Sequence, residues 1–301
     1  MTTPAYLKSG DKVAIVSTAR KVSEAEMTPA VELLKQWGIE TAFGKNLFNQ
    51  LNQFAGTDED RTQDFQDALN DPSVKAILFA RGGYGTVRII DKIDWSAFKI
   101  NPKWLIGFSD VTVTHSHVQK NFGIETLHAP MAFNLPKSTN EVKQKLRQAL
   151  FGEKLQYEIS ENIFSDINRP GECTGELVGG NLSILYSLLG SSSSIDTNGK
   201  ILFLEDLDEY LYHIDRMMMA LKRAGKLYKL AGLIVGGMND MKDNKVRFNK
   251  TAEEIISEAV SEYNYPLLFG FPAGHVRNNM PLIFGRKVNL KVVEDSSLSF
   301  S

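Results

Sequence analysis

The sequence predicts an α/β protein of two domains, a first one built on a mainly parallel sheet and a smaller second one of mixed α/β type. The chain has 301 residues, which is long for one compact domain and comfortable for two. Short apolar runs typical of buried strands alternate with amphipathic segments of helical period. Such alternation is typical of βαβ units.

The first half of the chain shows this alternation most clearly. The predicted strands are residues 13–16, 76–80 and 104–107, and the predicted helices are residues 24–37, 58–69, 86–93 and 110–121. Ligands of parallel sheets bind at the carboxyl ends of the strands. We therefore expect the glycine-rich loop at 82–85 and the turn at 107–110 to lie at a functional edge.

A polar stretch after residue 136 suggests a domain boundary. We assign residues 1–140 to the first domain, 141–170 to a connection and 171–301 to the second domain. The helices predicted in the second domain are residues 182–189, 212–224 and 251–262, and the strands are residues 201–204, 231–236, 267–269 and 287–293. We expect a Rossmann-like or flavodoxin-like parallel sheet in the first domain and a barrel-like sheet in the second.

Composition excludes several classes of protein. Hydrophobic residues make up 43% of the chain and charged residues 23%, with a net charge of −2 and a pI of about 6.2. No basic stripe interleaved with aromatic residues is present, so a nucleic-acid partner is not expected. Neither a secretory signal nor an apolar run of membrane-spanning length is found. We expect a soluble, cytoplasmic protein with no membrane partner.

The cysteine and most of the histidines are interpreted as structural. The single cysteine, Cys173, cannot form an internal disulfide and has no adjacent histidine. His115 and His117 are two residues apart on a predicted helix and face different sides of it. His128 and His213 have no neighbours with metal-ligand spacing. No metal or other cofactor is expected.

Ser109 lies where a hydrophobic strand ends at Gly107 and a helix begins. A hydroxyl at this position projects from the sheet edge beside the first free N–H groups of the helix, which is suitable for acyl transfer. Serine is also a common helix N-cap, and this segment alone leaves both interpretations open. Position 111 is Val rather than Gly, so the segment departs from the Gly-x-Ser-x-Gly elbow of α/β-hydrolases.

The loop at residues 81–85 (RGGYG) follows a predicted strand. Glycines there let the backbone approach a ligand closely. Arg88 occupies the place of the third glycine of the dinucleotide-binding fingerprint, and no Gly-Lys-Ser/Thr is present. A loop that lines a binding site is therefore favoured over a nucleotide-binding loop.

Two further segments carry candidate catalytic residues. Glu205 and Asp206 end a continuous apolar strand, where a carboxylate can orient a histidine or simply open a solvated turn. His275 lies in a loop rich in Gly and Pro, and a loop histidine is more often functional than one on an apolar helix face.

Together, these segments resemble the L,D-carboxypeptidases, the family S66 that includes murein tetrapeptide carboxypeptidases and microcin-immunity proteins. The resemblance covers nearly the whole chain. It is carried by the order and spacing of residues 81–85, 107–110, 179–181 (GGN), 204–206 (LED) and 274–275, with residues 54–57 and Arg61 and with residues 214–216.

The resemblance implies a serine carboxypeptidase with Ser109 as nucleophile, His275 as general base and then acid, and Glu205 orienting the imidazole. It implies an oxyanion hole from backbone N–H groups of Asp110 and of the Gly82–Gly83 loop. With the serine in one domain and the other two residues in the second, the site is expected between the domains. A homodimer is also implied.

The implied substrate is a short muropeptide, a murein tetrapeptide from which terminal D-alanine is removed during cytoplasmic cell-wall recycling. The helix N-terminus and the glycine-loop amides are candidates to hold its terminal carboxylate. Two alternatives are considered. A microcin-immunity-type hydrolase of aminoacyl-adenylate analogues would need an aromatic stacking loop in the second domain, but all three tryptophans lie in the first. A non-catalytic ligand-binding protein on the same scaffold is the other.

Overall fold

A computed structural model describes residues 1–160 and 164–301 of the chain. The strands are β1 (Lys12–Val16), β2 (Glu40–Phe43), β3 (Val74–Phe79), β4 (Trp104–Gly107), β5 (Thr126–His128), β6 (Gln156–Ile159), β7 (Gly171–Asn181), β8 (Ile201–Leu207), β9 (Gly232–Asn239), β10 (Leu267–Leu268), β11 (Leu282–Phe284), β12 (Lys287–Val292) and β13 (Ser296–Phe300). The α-helices are α1 (Glu24–Gln36), α2 (Asp58–Asn70), α3 (Ser96–Ile100), α4 (Thr112–Phe122), α5 (Asn140–Leu150), α6 (Leu182–Ser187), α7 (Leu211–Arg223) and α8 (Ala252–Ala259).

The first sheet has the strand order β11-β5-β4-β3-β1-β2. Its five N-terminal strands are parallel, as the alternation of strands and helices predicts, and β11 adds an antiparallel edge from the far end of the chain. Because β1, β3 and β4 run in the same direction, their carboxyl ends meet at one edge. This edge carries the loops that follow residues 16, 79 and 107.

The second sheet has the strand order β10-β9-β8-β7-β12-β13-β6. Strands β7 to β10 are parallel and the remaining pairs are antiparallel, so the domain is of the mixed α/β type that the sequence predicts. The barrel-like shape is not closed, since no ladder joins edge strands β6 and β10 within the described ranges. The carboxyl ends of β7, β8 and β9 again lie together.

Side-chain caps explain where several helices begin. Ser23 and Thr57 each form a capping box with the acidic residue three positions on, Glu26 and Asp60. The predicted helix over residues 86–93 is instead two short 3₁₀ turns. Four of its first five residues are β-branched, which disfavours a regular helix.

Strand β7 is the largest element that the sequence pattern misses. Its eleven residues include four glycines, which weaken a strand and hide its alternation. Gly179 and Gly180 both have φ near +136°. A Cβ at Gly180 would lie 2.5 Å from the hydroxyl oxygen of Thr112 on α4, so glycine allows the two domains to approach closely here.

The two sheets are packed together rather than joined only by a linker. A single apolar core includes Ile106 of the first sheet and Phe203 of the second. The backbone N–H of Asn181 donates to Thr112 Oγ1 at 3.0 Å. Strand β6, from the predicted connection, joins the second sheet. Within the described ranges, no helix has the length and apolar character needed to cross a membrane.

Candidate active site

The carboxyl edges of the two sheets face a shared cavity of about 500 Å³. The first domain contributes the loops after β1, β3 and β4, including Gly82, Gly83 and Ser109. The second domain contributes the end of β8 and His275. Five of the six residues predicted for the site line this cavity. The sixth, Glu205, does not line it but contacts His275, which does.

Ser109 occupies a strained backbone position directly after β4. Its φ of 61° is in the left-handed region, which serine rarely adopts. It starts a short 3₁₀ turn, Ser109–Val111, that leads into α4, and neither element has a side-chain cap. The helix-cap interpretation of Ser109 therefore does not hold. Its Oγ instead lies 3.1 Å from Nε2 of His275.

Glu205 lies on the other side of the imidazole. Its Oε2 is 2.6 Å from His275 Nδ1 and also accepts the backbone N–H of His275 at 3.1 Å. Because the carboxylate accepts at Nδ1, it favours the tautomer in which Nε2 is free to accept a proton from Ser109. The Glu205 side chain is fully buried.

The loop that carries His275 is held on both sides. Gly274 has φ +99°, and a Cβ at this position would lie 2.6 Å from Cβ of Glu205. Its N–H donates to Asn279 Oδ1 at 2.8 Å, and Nδ2 of Asn239 donates to the carbonyl of His275 at 2.5 Å. Glycine is thus required at 274 for the histidine loop to close over the glutamate.

The environment of His275 favours its protonated form. Burial by itself lowers the pKa of His275, but the neighbouring Glu205 carboxylate and its hydrogen bond outweigh this, so the pKa is raised above 6.5. Asp206 adds a smaller effect in the same direction. A base of raised pKa beside a hydroxyl is suited to accept that proton during attack.

Gly82 and Gly83 lie against the candidate nucleophile. A Cβ at Gly82 would lie 3.3 Å from Oγ of Ser109, so the backbone here is within contact distance of any group bonded to that oxygen. Within the described part of the chain, the N–H groups of Gly82 and Gly83 have no hydrogen-bond acceptor. These free donors and the first turn after Ser109 match the requirements of an oxyanion hole.

The Asp110 side chain links the two loops that form this donor set. Its Oδ2 accepts the N–H of Thr86 at 2.9 Å and the hydroxyl of Thr86 at 2.6 Å. The Thr86 hydroxyl also lies 2.7 Å from that of Thr18. Burial raises the pKa of the Asp110 carboxyl. The side chain therefore fixes the glycine loop relative to the Ser109 turn.

Asp206 has a role different from that of Glu205, although the two are adjacent. Its carboxylate accepts from Nδ2 of Asn181 at 2.9 Å and from the backbone N–H of Ser183 at 2.8 Å. Burial and the charge of Glu205 raise its pKa to about 7. Asp206 therefore ties the end of β7 to the end of β8 and lines the cavity.

Several cavity residues were not singled out from the sequence. They are Arg20, Met131, Phe133, Asn134, Ser183, Asp208 and Glu209. Arg20 follows the carboxyl end of β1 by four residues, so the strand-edge rule applied to β1 would have indicated it. Phe133 and Asn134 follow β5, a three-residue strand too short to detect from its pattern.

The remaining histidines and the cysteine lie outside this arrangement. His115 is buried and bonds the carbonyl of Gly107 at 2.8 Å, and burial lowers its pKa to about 4. Cys173 is half-buried, and burial raises the pKa of its thiol to about 11. Among the described residues, no group of three or more His, Cys, Asp and Glu side chains converges as a metal site.

Comparison with known proteins identifies the family of the chain. Residues 13–129 match the model of the LD-carboxypeptidase N-terminal domain, and residues 174–290 match that of the LD-carboxypeptidase C-terminal domain. A probable murein peptide carboxypeptidase of Bacillus subtilis is 34% identical over 298 residues, covering 98% of this chain and 93% of that protein.

Solved structures show the same fold. The muramoyltetrapeptide carboxypeptidase from Oxalobacter formigenes superimposes with a TM-score of 0.87 at 25% identity, over 96% of this chain and 98% of that one. MccF in complex with glutamyl sulfamoyl guanosine gives a TM-score of 0.87 at 20% identity over 99% and 98% of the two chains, a likeness of fold alone. The chain belongs to the LD-carboxypeptidase family and is a carboxypeptidase.

Proposed function

We propose that the chain is a serine L,D-carboxypeptidase that releases terminal D-alanine from murein tetrapeptides through a Ser109–His275–Glu205 triad. The observation that carries the proposal is the continuous contact from Ser109 Oγ to His275 Nε2, at 3.1 Å, and from His275 Nδ1 to Glu205, at 2.6 Å. Nucleophile, base and orienting acid are thus within hydrogen-bond reach of one another, as acyl transfer requires.

In the first half of the reaction, Ser109 Oγ attacks the carbonyl carbon of the last peptide bond while His275 Nε2 takes the hydroxyl proton. Glu205 stabilises the resulting imidazolium, which forms in a buried site where an unpaired charge is costly. The imidazolium then protonates the amine nitrogen as the carbon–nitrogen bond breaks. The free amino acid leaves, and an acyl-enzyme ester remains on Ser109.

In the second half, a water molecule loses a proton to His275 and attacks the ester, and Ser109 recovers that proton when the acyl group leaves. Both tetrahedral intermediates place a negative oxygen near the free N–H groups of the Gly82–Gly83 loop and of Asp110. Each such donor typically contributes about 3–4 kcal/mol to the transition state. The hydrogen bonds between Thr86 and Asp110 hold the Gly82–Gly83 loop and the turn after Ser109 at a fixed distance from each other.

The substrate class is supported by the relatives and by the cavity. The Bacillus subtilis relative is named for murein peptides and the Oxalobacter formigenes protein for muramoyltetrapeptides. A cavity of about 500 Å³ lined by charged and polar side chains suits a short peptide. Its aromatic lining consists of Phe108 and Phe133, on the first domain. We place the reaction in cytoplasmic recycling of murein tetrapeptides.

The test is to incubate the protein separately with murein tetrapeptide and with a peptidyl-adenylate analogue, and to measure released D-alanine and released nucleotide. We expect D-alanine from the tetrapeptide, with kcat lower by several orders of magnitude in Ser109→Ala. Ser187→Ala, which alters an exposed serine on α6, is the matched control and should keep full activity.

Other results would contradict the proposal. Undiminished turnover in Ser109→Ala would exclude the triad. Nucleotide release without D-alanine release would indicate a microcin-immunity-type hydrolase. Tight binding of tetrapeptide with no turnover in either assay would indicate a ligand-binding protein.

A further inference from the structure

Two arginine side chains flank the glycine loop beside the candidate nucleophile. Arg81 directly precedes Gly82, where an added Cβ would lie 3.3 Å from Oγ of Ser109. On the other side, a Cβ at Gly83 would lie 2.6 Å from Nε of Arg20. Both arginines line the 500 Å³ cavity. We propose that Arg20 and Arg81 together bind the carboxylate of the substrate's terminal amino acid and restrict the enzyme to C-terminal residues.

This inference rests on the proposed function and adds the side chains that recognise the leaving residue. In a carboxypeptidase substrate, only the amide nitrogen and one Cα separate the carboxylate carbon from the carbonyl carbon under attack, a span of about 4 Å. The cation that binds this carboxylate must therefore be next to the nucleophile. Arg20 and Arg81 line the same cavity as Ser109, and the Arg20 side chain lies against Gly83.

The Arg81 guanidinium is oriented by an aromatic ring and forms a long ion pair. Its guanidinium lies 4.2 Å from the centroid of the Phe133 ring, and the nearest carboxylate oxygen, on Glu26, is 3.7 Å away. That distance is too long for a direct hydrogen bond. About a third of the Arg81 side chain is exposed. Phe133 thus holds the guanidinium in place while its N–H donors remain available to a ligand.

The Arg20 residue is exposed. Within the described residues its guanidinium makes no ion pair and no hydrogen bond, and only its backbone carbonyl accepts, from Ser17. Two guanidinium groups that line the same cavity as Ser109 favour the binding of an anion there. A carboxylate accepts such paired donors well.

A second cavity offers a rival position. It has a volume of about 350 Å³, adjoins His275, and is lined by Lys137 and Arg277. Neither Ser109 nor the Gly82–Gly83 loop lines it. The arginine pair lines the same cavity as Ser109, whereas these two cations line a cavity that Ser109 does not, which favours the arginine pair as the carboxylate site.

The experiment measures binding in a Ser109→Ala background, so that it does not depend on turnover. Calorimetry gives the Kd of murein tetrapeptide with a free terminal D-alanine and of the same peptide ending in D-alaninamide. We expect the free acid to bind about 100-fold more tightly, and Arg20→Met or Arg81→Met each to weaken acid binding about 10- to 100-fold. Amide binding should change by less than about 3-fold, which shows that the variants remain folded.

Arg277→Met is the matched control and should keep the preference for the acid. An unchanged preference in both Arg20→Met and Arg81→Met would overturn the inference, as would its loss in Arg277→Met or Lys137→Met. The proposed function is judged separately, by D-alanine release from the wild-type protein. Arginine-dependent binding without such release would overturn the reaction but still support the carboxylate site.

Discussion

Replacing Glu205 by Gln tests the electrostatic part of the site most directly. The substitution keeps the shape of the side chain and removes a fully buried charge that lies 2.6 Å from His275 Nδ1. At 4 Å and an effective dielectric constant of 20, two unit charges attract by about 4 kcal/mol. Loss of this attraction to the imidazolium is expected to lower kcat about 10³-fold, and a wrong imidazole tautomer would lower it further.

The same variant has a defined effect on the pH profile. In the wild type, Glu205 raises the pKa of His275 above 6.5 against the opposing effect of burial. The active form has a neutral imidazole, so kcat/KM should fall as the pH decreases through this raised pKa. In Glu205→Gln the burial remains and the opposing charge is gone, so the acid limb should move to a pH below 6.5.

The assay is D-alanine release, measured as kcat/KM between pH 5 and 9 in buffers of constant ionic strength. His213→Asn is the control, because it removes another histidine–glutamate contact, His213 to Glu209 at 2.6 Å, outside the triad. Its acid limb should match that of the wild type. An acid limb that stays in place or moves to higher pH in Glu205→Gln would refute the assigned role of the carboxylate.

Further perturbations test the surrounding structure. Gly82→Ala places a methyl group 3.3 Å from Ser109 Oγ; kcat/KM should fall at least about 100-fold in steady-state assays while the melting temperature changes little. Thr86→Val removes the buried hydroxyl that donates a hydrogen bond to Asp110. The free energy of unfolding, measured with urea, should fall by about 1–3 kcal/mol and should be largely restored in Thr86→Ser. The pKa of Asp206 is raised to about 7 in the folded state, so the native protein holds a proton that the unfolded chain releases. Its free energy of unfolding should fall by up to about 4 kcal/mol as the pH rises from about 4 to about 7, and this decline should be flatter in Asp206→Asn. EDTA should leave the rate unchanged, whereas a loss of activity would indicate a metal.

The triad candidates could be identified from the sequence because each lies in or next to a recognisable element. Ser109 follows an apolar strand, Glu205 ends another, and His275 lies in a loop rich in Gly and Pro. The contact between these three residues could not be predicted from the hydrophobic periodicity, because it depends on how the two sheets face each other. The resemblance of the ordered motifs to a family supplied that link.

Local pattern could not distinguish the roles of Glu205 and Asp206. Adjacent residues in a strand face opposite sides, so one contacts the histidine loop and the other contacts Asn181. Which side each one takes depends on the register of β8 with its neighbours. The φ of 61° at Ser109 could not be predicted from the sequence either, since serine has no preference for the left-handed region.

The edge strand β11 has a consequence for how the molecule is assembled during synthesis. Residues 282–284 complete the first sheet by pairing with β5, more than 150 residues earlier in the chain. The chain that links β10 in one sheet to β11 in the other also carries His275. The first sheet is therefore completed only after residues 282–284 have been synthesised, and the segment that carries His275 is made just before them. Under the proposed mechanism, a product that ends before residue 275 would contain Ser109 without its base and would not hydrolyse peptides.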